Sequence, residues 1–182
     1  MSVLEDLKVF LQIGVPRSII YALLSVALVG YLILFIKKKP SHWYYALLLT
    51  VYGVFLFLMT VLFRPNEVED TDPYLFWSYV EGFNGKTYLF VQIVLNIILF
   101  MPIGILIAGC VKSRGALKTF LVGFSLSVTI EVLQLLFSKG LAEFDDVFHN
   151  TLGCLLGFYL VRGCQSIIKR AKSHHTSLET IR

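Results

Sequence analysis

The chain has 182 residues, of which 57% are hydrophobic and only 15% charged, and it carries a formal net charge of +4 at pH 7. Its mean hydropathy is +0.75. Soluble globular domains usually hold about 25% charged residues, so these figures exclude an ordinary soluble domain and leave little chain for one beside a membrane domain.

In chain order, five apolar windows stand out: 18–36, 44–63, 88–111, 116–137 and 147–168. Each is close to the roughly 20 residues a helix needs to cross a hydrocarbon core of about 30 Å. The reading is an all-α polytopic membrane protein with about five transmembrane helices. It divides into an N-terminal interfacial segment (1–17), a transmembrane helical domain (18–168) and a cytoplasmic basic tail (169–182) that frays at its end. The opening stretch, MSVLEDLKVFLQIGVPRS, does not read as a cleavable signal. Leu4, Leu7 and Leu11 fall at helical spacing, which fits a helix lying in the outer interface or a plain surface helix.

The loops differ in charge. Lys37, Lys38 and Lys39 follow the first span, Lys112, Arg114 and Lys118 lie around the third-to-fourth connection, and Arg162, Lys169, Arg170 and Lys172 close the fifth. The alternate loops are acidic. Residues 64–87 hold Glu67, Glu69, Asp70, Asp72 and Glu81 against Arg64 and Lys86, and residues 138–146 hold Lys139 against Glu143, Asp145 and Asp146. Basic residues mark the cytoplasmic side, so the N-terminus is expected outside and the C-terminus inside. Anionic lipid then accounts for the basic excess, and no nucleic-acid partner is implied. Within the acidic loop, Tyr74, Phe76, Trp77 and Tyr79 read as interfacial anchors. Cys110, Cys154 and Cys164 lie within the spans or at their inner ends, so they read as buried free thiols rather than an outward disulfide or a metal site.

Ionisable and amide side chains inside the apolar windows are expensive. On the fourth span Gly123, Ser127, Glu131, Gln134 and Ser138 share one helical face; on the fifth, Asp146, Asn150, Gly153 and Gly157 do the same. Gly153 and Gly157 form a small-xxx-small pair that lets another helix approach. The third span carries Asn96, and below it Pro102, which lacks an N–H and is expected to kink the helix. The topology puts Asn96, Glu131, Gln134, Asp146 and Asn150 at one outward level, with Asp145, Glu143, Lys139 and Arg64 around it. A polar cavity open to the outside follows as an expectation. Bland readings compete. Asp145 and Asp146 suit a helix N-terminus, Asn96 and Asn150 suit interhelical hydrogen bonds, and His149 suits the interface. Glu131 is the residue hardest to explain without function.

The residues resemble those of the VanZ-like membrane proteins. The likeness rests on Asn96, Phe100, Pro102 and Gly104 in NIILFMPIG, on Glu131 and Gln134 in EVLQ, and on Asp145, Asp146, Asn150, Thr151 and Gly153 in DDVFHNTLG. It covers roughly residues 60–165. The family often has an arginine in the hairpin, where this chain has Lys139, and a further aspartate, for which Glu143 stands in. The resemblance implies a part in low-level resistance to teicoplanin and other lipid-tailed glycopeptides. The partner so implied is an amphiphile at the outer leaflet: a membrane lipid, a lipid-linked wall precursor or a lipoglycopeptide. Substrate-binding candidates are Asn96, Glu131, Gln134, Asp145, Asp146, Asn150 and Arg64, with no cofactor.

The alternative is an intramembrane enzyme acting on lipid-linked envelope precursors. Glu131, Asp146 and His149 are its candidate catalytic residues, either as oxygen-rich holders of a divalent cation or as general acid and base. No HExxH-type metal spacing or readable nucleophile–base pair supports it. Ion-coupled transport through Glu131 ranks below both, because no paired broken helices or inverted repeat can be read.

Overall fold

The computed structural model describes residues 42–62, 74–111, 115–139 and 143–180. The predicted first span, the segment 1–17 and Arg64 lie outside the described residues, as do Glu67, Glu69, Asp70 and Asp72. The described chain is helical, with no strand among the described residues. Helix α1 covers His42–Phe57 and runs on into a π-helical turn at Leu58–Leu62. A short α2, Trp77–Phe83, follows, then α3 at Tyr88–Cys110, α4 at Gly115–Leu136 and α5 at Phe144–Thr180. Among the described residues four stretches are long and apolar enough to cross a membrane: Trp43–Leu62, Tyr88–Cys110, Gly115–Leu136 and Phe144–Ala171. They match the second to fifth expected spans.

Two local features differ from expectation. The last helix does not fray after the membrane: its 37 residues run to Thr180. At 1.5 Å per residue that is about 55 Å, well beyond a hydrocarbon core of about 30 Å. The loop expected at 64–87 contains α2, which ends in a Schellman turn. There Lys86 N–H reaches the Glu81 carbonyl at 3.0 Å and Gly85 takes φ 113°, a conformation glycine adopts at no steric cost.

Helix association in lipid depends on close packing and hydrogen bonds rather than on expelling water, and α3 and α5 pack accordingly. A Cβ at Gly104 would overlap the Cys154 carbonyl, one at Gly153 would overlap the Ile97 carbonyl, and one at Gly157 would overlap the Met101 carbonyl. The two backbones touch directly along this seam. Cys154 fills the space between Gly104 on α3 and Gly123 on α4. The apolar core continues through Tyr52, Leu56, Phe100, Ile103, Leu106 and Ile130. Pro102 sits inside α3 without ending it. Nearby, the Tyr52 hydroxyl donates to the Leu99 carbonyl at 2.7 Å, fastening α1 to α3.

Outward-facing side chains are apolar. Trp43, Leu47, Val51 and Val54 on α1, and Leu117, Leu121, Phe124 and Val132 on α4, are exposed. Apolar faces this long would drive a soluble protein to aggregate; acyl chains cover them in a bilayer. The two ends of the bundle differ in charge. Lys118, Arg162, Lys169 and Arg170 cluster towards the end where α3 stops and α4 begins, and Arg162 there donates to the Val111 carbonyl and lies 5.2 Å from the Phe158 ring centroid.

Candidate functional site

The opposite end carries the polar residues. Helix α4 finishes there in a Schellman turn. Lys139 N–H meets the Gln134 carbonyl at 2.8 Å and Ser138 N–H meets the Leu135 carbonyl at 3.2 Å, with Ser138 left-handed at φ 54°. The chain then returns as α5. Glu143 lies at its start, because its carbonyl accepts from Asp146 N–H at 3.2 Å. Asp145 and Asp146 occupy the first turn of α5, where the helix dipole favours carboxylates.

The polar side chains of α4 and α5 meet in successive layers. Gln134 donates through Nε2 to the Thr60 carbonyl in the π turn at 2.8 Å. One turn deeper, Glu131 Oε2 accepts from Glu143 N–H at 2.9 Å, so this carboxylate holds the start of α5 against α4. Asp146 Oδ1 accepts from Asn96 Nδ2 on α3 at 2.6 Å. Deeper again, Asn150 Nδ2 donates to Ser127 Oγ at 2.8 Å. Below this layer Gly123 and Cys154 close the seam. From Gln134 to Ser127 is seven residues, so the polar column runs about 10 Å along α4. Glu131, Gln134 and Asn150 are 4%, 3% and 5% exposed. Asn96 and Asp146 are half-buried, which places the accessible edge of the column at that pair.

Asp145 and His149 belong to a second cluster. They share a face of α5 one residue round from Asp146 and Asn150, and that face meets α2. The Asp145 carboxylate accepts from Phe76 N–H, from Ser78 N–H at 3.0 Å and from Ser78 Oγ. It therefore caps the start of α2 rather than lining the α4–α5 column. Phe76 is left-handed at φ 68°, an unfavourable conformation for a bulky residue, and the Asp145 contact holds it there. Burial, reinforced by the nearby Asp145 carboxylate, pushes the Tyr79 phenol above its ordinary pKa. Tyr79 thus stays protonated, and its hydroxyl shares a hydrogen bond of 2.9 Å with His149 Nε2. His149 is fully buried. Trp77, expected at the interface, is buried, while Tyr74, Leu75, Phe76, Val80 and Phe83 form the exposed surface of this segment.

The structure therefore gathers Asn96, Glu131, Gln134, Asp146 and Asn150 along one column and sends Asp145 and His149 to α2. Arg64 lies outside the described residues. Ser127 and Thr60 complete the column, and Ser78 and Tyr79 complete the second cluster. Ser127 was readable, since it precedes Glu131 by one turn on the same stripe. The partners of Asp145 were not, because they lie 67 and 69 residues away in sequence. Among the described residues no group of three or more His, Cys, Asp or Glu side chains is placed to hold a metal ion.

Apolar spanning helices around a ladder of buried side-chain hydrogen bonds define a helical multi-pass membrane protein with a polar interior at one end. The family model described as VanZ/LLP1 matches residues 19–168, and the chain belongs to that family. It is a multi-pass protein of the bacterial plasma membrane. It is similar to Protein VanZ of Enterococcus faecium, with 37% identity over 71 residues, which is 39% of this chain and 44% of that protein. The chain thus spans less than half the length of that curated relative. No solved structure matches.

Proposed function

We propose that this protein engages the polar head of an amphiphile at the outer leaflet and contributes to low-level resistance to lipid-tailed glycopeptides such as teicoplanin. The α3–α4–α5 column is its working part. The observation that carries the reading is Glu131, a carboxylate 4% exposed and the one acidic residue of the spanning helix α4. Such a group costs a few kcal/mol on insertion scales and marks a functional site by default. Asn96, Gln134, Asp146 and Asn150 share its column, and Asp145 supports it by holding α2 beside it. Membership of the VanZ/LLP1 family and the likeness to Protein VanZ supply the resistance context. The orientation that opens the column outward is supported by Lys118, Arg162, Lys169 and Arg170 at the other end, because basic residues favour the cytoplasmic side.

The test is a resistance assay in a susceptible Gram-positive host, with each variant brought to matched membrane abundance. Glu131→Gln, Asp146→Asn and Asn150→Ala should each abolish the protection that the wild type gives against teicoplanin. Protection against a tailless glycopeptide should be small throughout, since a tail is what holds a drug at the depth of the column. Full teicoplanin protection from all three variants would refute the proposal.

A further inference from the structure

Helix α2 exposes the wrong side for a helix at a water surface. Its buried residues are Trp77, Ser78 and Gly82; Asp145 accepts from the Ser78 N–H and hydroxyl, and Gly82 lies against the Phe90 ring. The outward side is apolar. Val80 and Phe83, one turn apart, are exposed, Phe83 at 82%, and Leu75 and Phe76 are exposed just before them. A helix beside water buries such a stripe and presents polar residues instead. The charged pair avoids the stripe. Glu81 Oε2 lies 3.1 Å from Lys86 Nζ, and Glu81 is two residues from Phe83, about 200° round the helix. The stripe is also continuous with surfaces that cross the bilayer. At one end the Phe76 ring meets Phe148 of α5 edge to face, with centroids 5.5 Å apart. At the other the Phe83 ring meets Phe90 of α3 at 5.2 Å. Both of those helices span, and Phe144, Phe148 and Val94 beside the contacts are exposed.

We propose that α2 is an in-plane helix seated on the bilayer, with the acyl chains of the adjoining leaflet as the partner of the face formed by Leu75, Phe76, Val80 and Phe83. Its seven residues make about 10 Å of helix. That matches the roughly 8–10 Å between the axes of packed helices, so α2 bridges α5 and α3 rather than running along either. Phe90 is in the first turn of α3 and Phe148 is one turn into α5, which sets both ends of α2 at one end of the spans. An interfacial helix dips its apolar side about 5–10 Å into the boundary between headgroups and acyl chains. Its backbone stays at headgroup depth, where water still reaches. The orientation given above makes this the outer leaflet, but the contact with acyl chains is independent of which leaflet it is. Seating α2 also fixes the depth of the column, because Asp145 ties α2 to α5 next to Asp146. The Asn96–Asp146 edge then lies where headgroups meet acyl chains. The seat needs no ligand, so it stands apart from the amphiphile reading.

The experiment is spin-label accessibility in the full chain, reconstituted in phosphatidylcholine nanodiscs in a Cys164→Ser background whose own signal is subtracted. Single cysteines replace Val80 and Phe83 on the stripe and Glu81 on the polar side. Val54, exposed on the spanning face of α1, and Ser173, exposed beyond the fifth span, supply the lipid and water references. Two reagents are used: molecular oxygen, which concentrates among acyl chains, and a nickel chelate, which stays in water. Labels at Val80→Cys and Phe83→Cys should collide with oxygen as often as the label at Val54→Cys and lose most of the nickel collisions seen at Ser173→Cys. Nickel collisions at Glu81→Cys should recover several-fold over Phe83→Cys, two residues away. All the substituted side chains are at least partly exposed, and each stripe position is read separately, so one poorly recovered variant leaves the other to decide. Nickel collisions at a stripe site as frequent as at Ser173→Cys would put the stripe in water and overturn the proposal. Protection from both reagents there would mean that protein, such as a second copy of this chain, covers the stripe, and would overturn the lipid as its partner.

Discussion

Replacing Asp145 with alanine removes the acceptor of three hydrogen bonds at once, those from Phe76 N–H, Ser78 N–H and Ser78 Oγ. Hydrogen bonds to a charged group contribute about 1.5–3 kcal/mol each. The lower figure applies here, because Phe76 is exposed and water can take over its amide. Three bonds then amount to about 4.5 kcal/mol. Release of Phe76 from its left-handed conformation returns about 1–2 kcal/mol. The balance is a loss of about 3 kcal/mol, or roughly 100-fold in the equilibrium for opening α2. The effect should be local, because the α3–α5 seam does not depend on Asp145. Hydrogen–deuterium exchange in lipid nanodiscs reads it directly. Amides at 74–83 should exchange roughly 100-fold faster, with those of α3 unchanged. Asp145→Asn should be intermediate, since it keeps one acceptor oxygen but turns an NH2 towards the donors. Unchanged protection at 74–83 would refute the latch, and equal loosening of α3 would show that Asp145 supports the whole bundle instead.

Gly157→Leu should sharply reduce the yield of folded protein, because even a Cβ there overlaps the Met101 carbonyl; size-exclusion recovery measures it, and normal recovery would contradict the close seam. Glu131→Gln keeps an oxygen able to accept from Glu143 N–H and removes an expensive charge, so its melting temperature should stay within about 4 °C of wild type. Aggregation of that variant would instead make Glu131 a structural ion-pair partner. For orientation, a single cysteine at Asn84 should react with an impermeant thiol reagent in intact cells and one at Ser173 should not, in a background with Cys164→Ser; the opposite pattern would reverse the topology and remove the outward column. Tyr79→Phe deletes the hydrogen bond between the phenol and His149 Nε2 and should speed exchange at 74–83 by about tenfold, the effect of one buried hydrogen bond; no change would mean that Asp145 alone holds α2.

The spanning helices were legible because an apolar run of about 20 residues has few alternatives to a transmembrane helix. The third span was read as 88–111 and is Tyr88–Cys110; the fourth was read as 116–137 and is Gly115–Leu136. The fifth was read too short at both ends. Asp145 and Asp146 do stand at the helix N-terminus, as read, but inside its first turn, so the helix begins before the apolar run; polar residues beyond Ile168 continue it in water, where hydropathy gives no signal. The column was legible as a stripe, since Ser127, Glu131 and Gln134 recur at helical spacing. Its division into two clusters was harder to see. Asp145 with His149, and Asp146 with Asn150, are both four-residue pairs one position apart, so spacing put them on neighbouring faces without saying what each face meets. That answer came from α2, a seven-residue helix too short to be stable without tertiary contacts. Its capping group lies more than sixty residues away, and no local pattern reports such a contact.

The central claim is that Glu131, Asp146 and Asn150 form one working site, and the most direct measurement is additivity in teicoplanin resistance. At matched membrane abundance, partially impairing versions of the substitutions are needed so that a further loss remains visible: Glu131→Asp, Asp146→Glu and Asn150→Ser, singly and in pairs. Members of one site fail together, so each pair should protect no less than its worse single variant. Pairs whose losses multiply as independent effects would contradict a single site, and the column would then be a set of separate structural contacts.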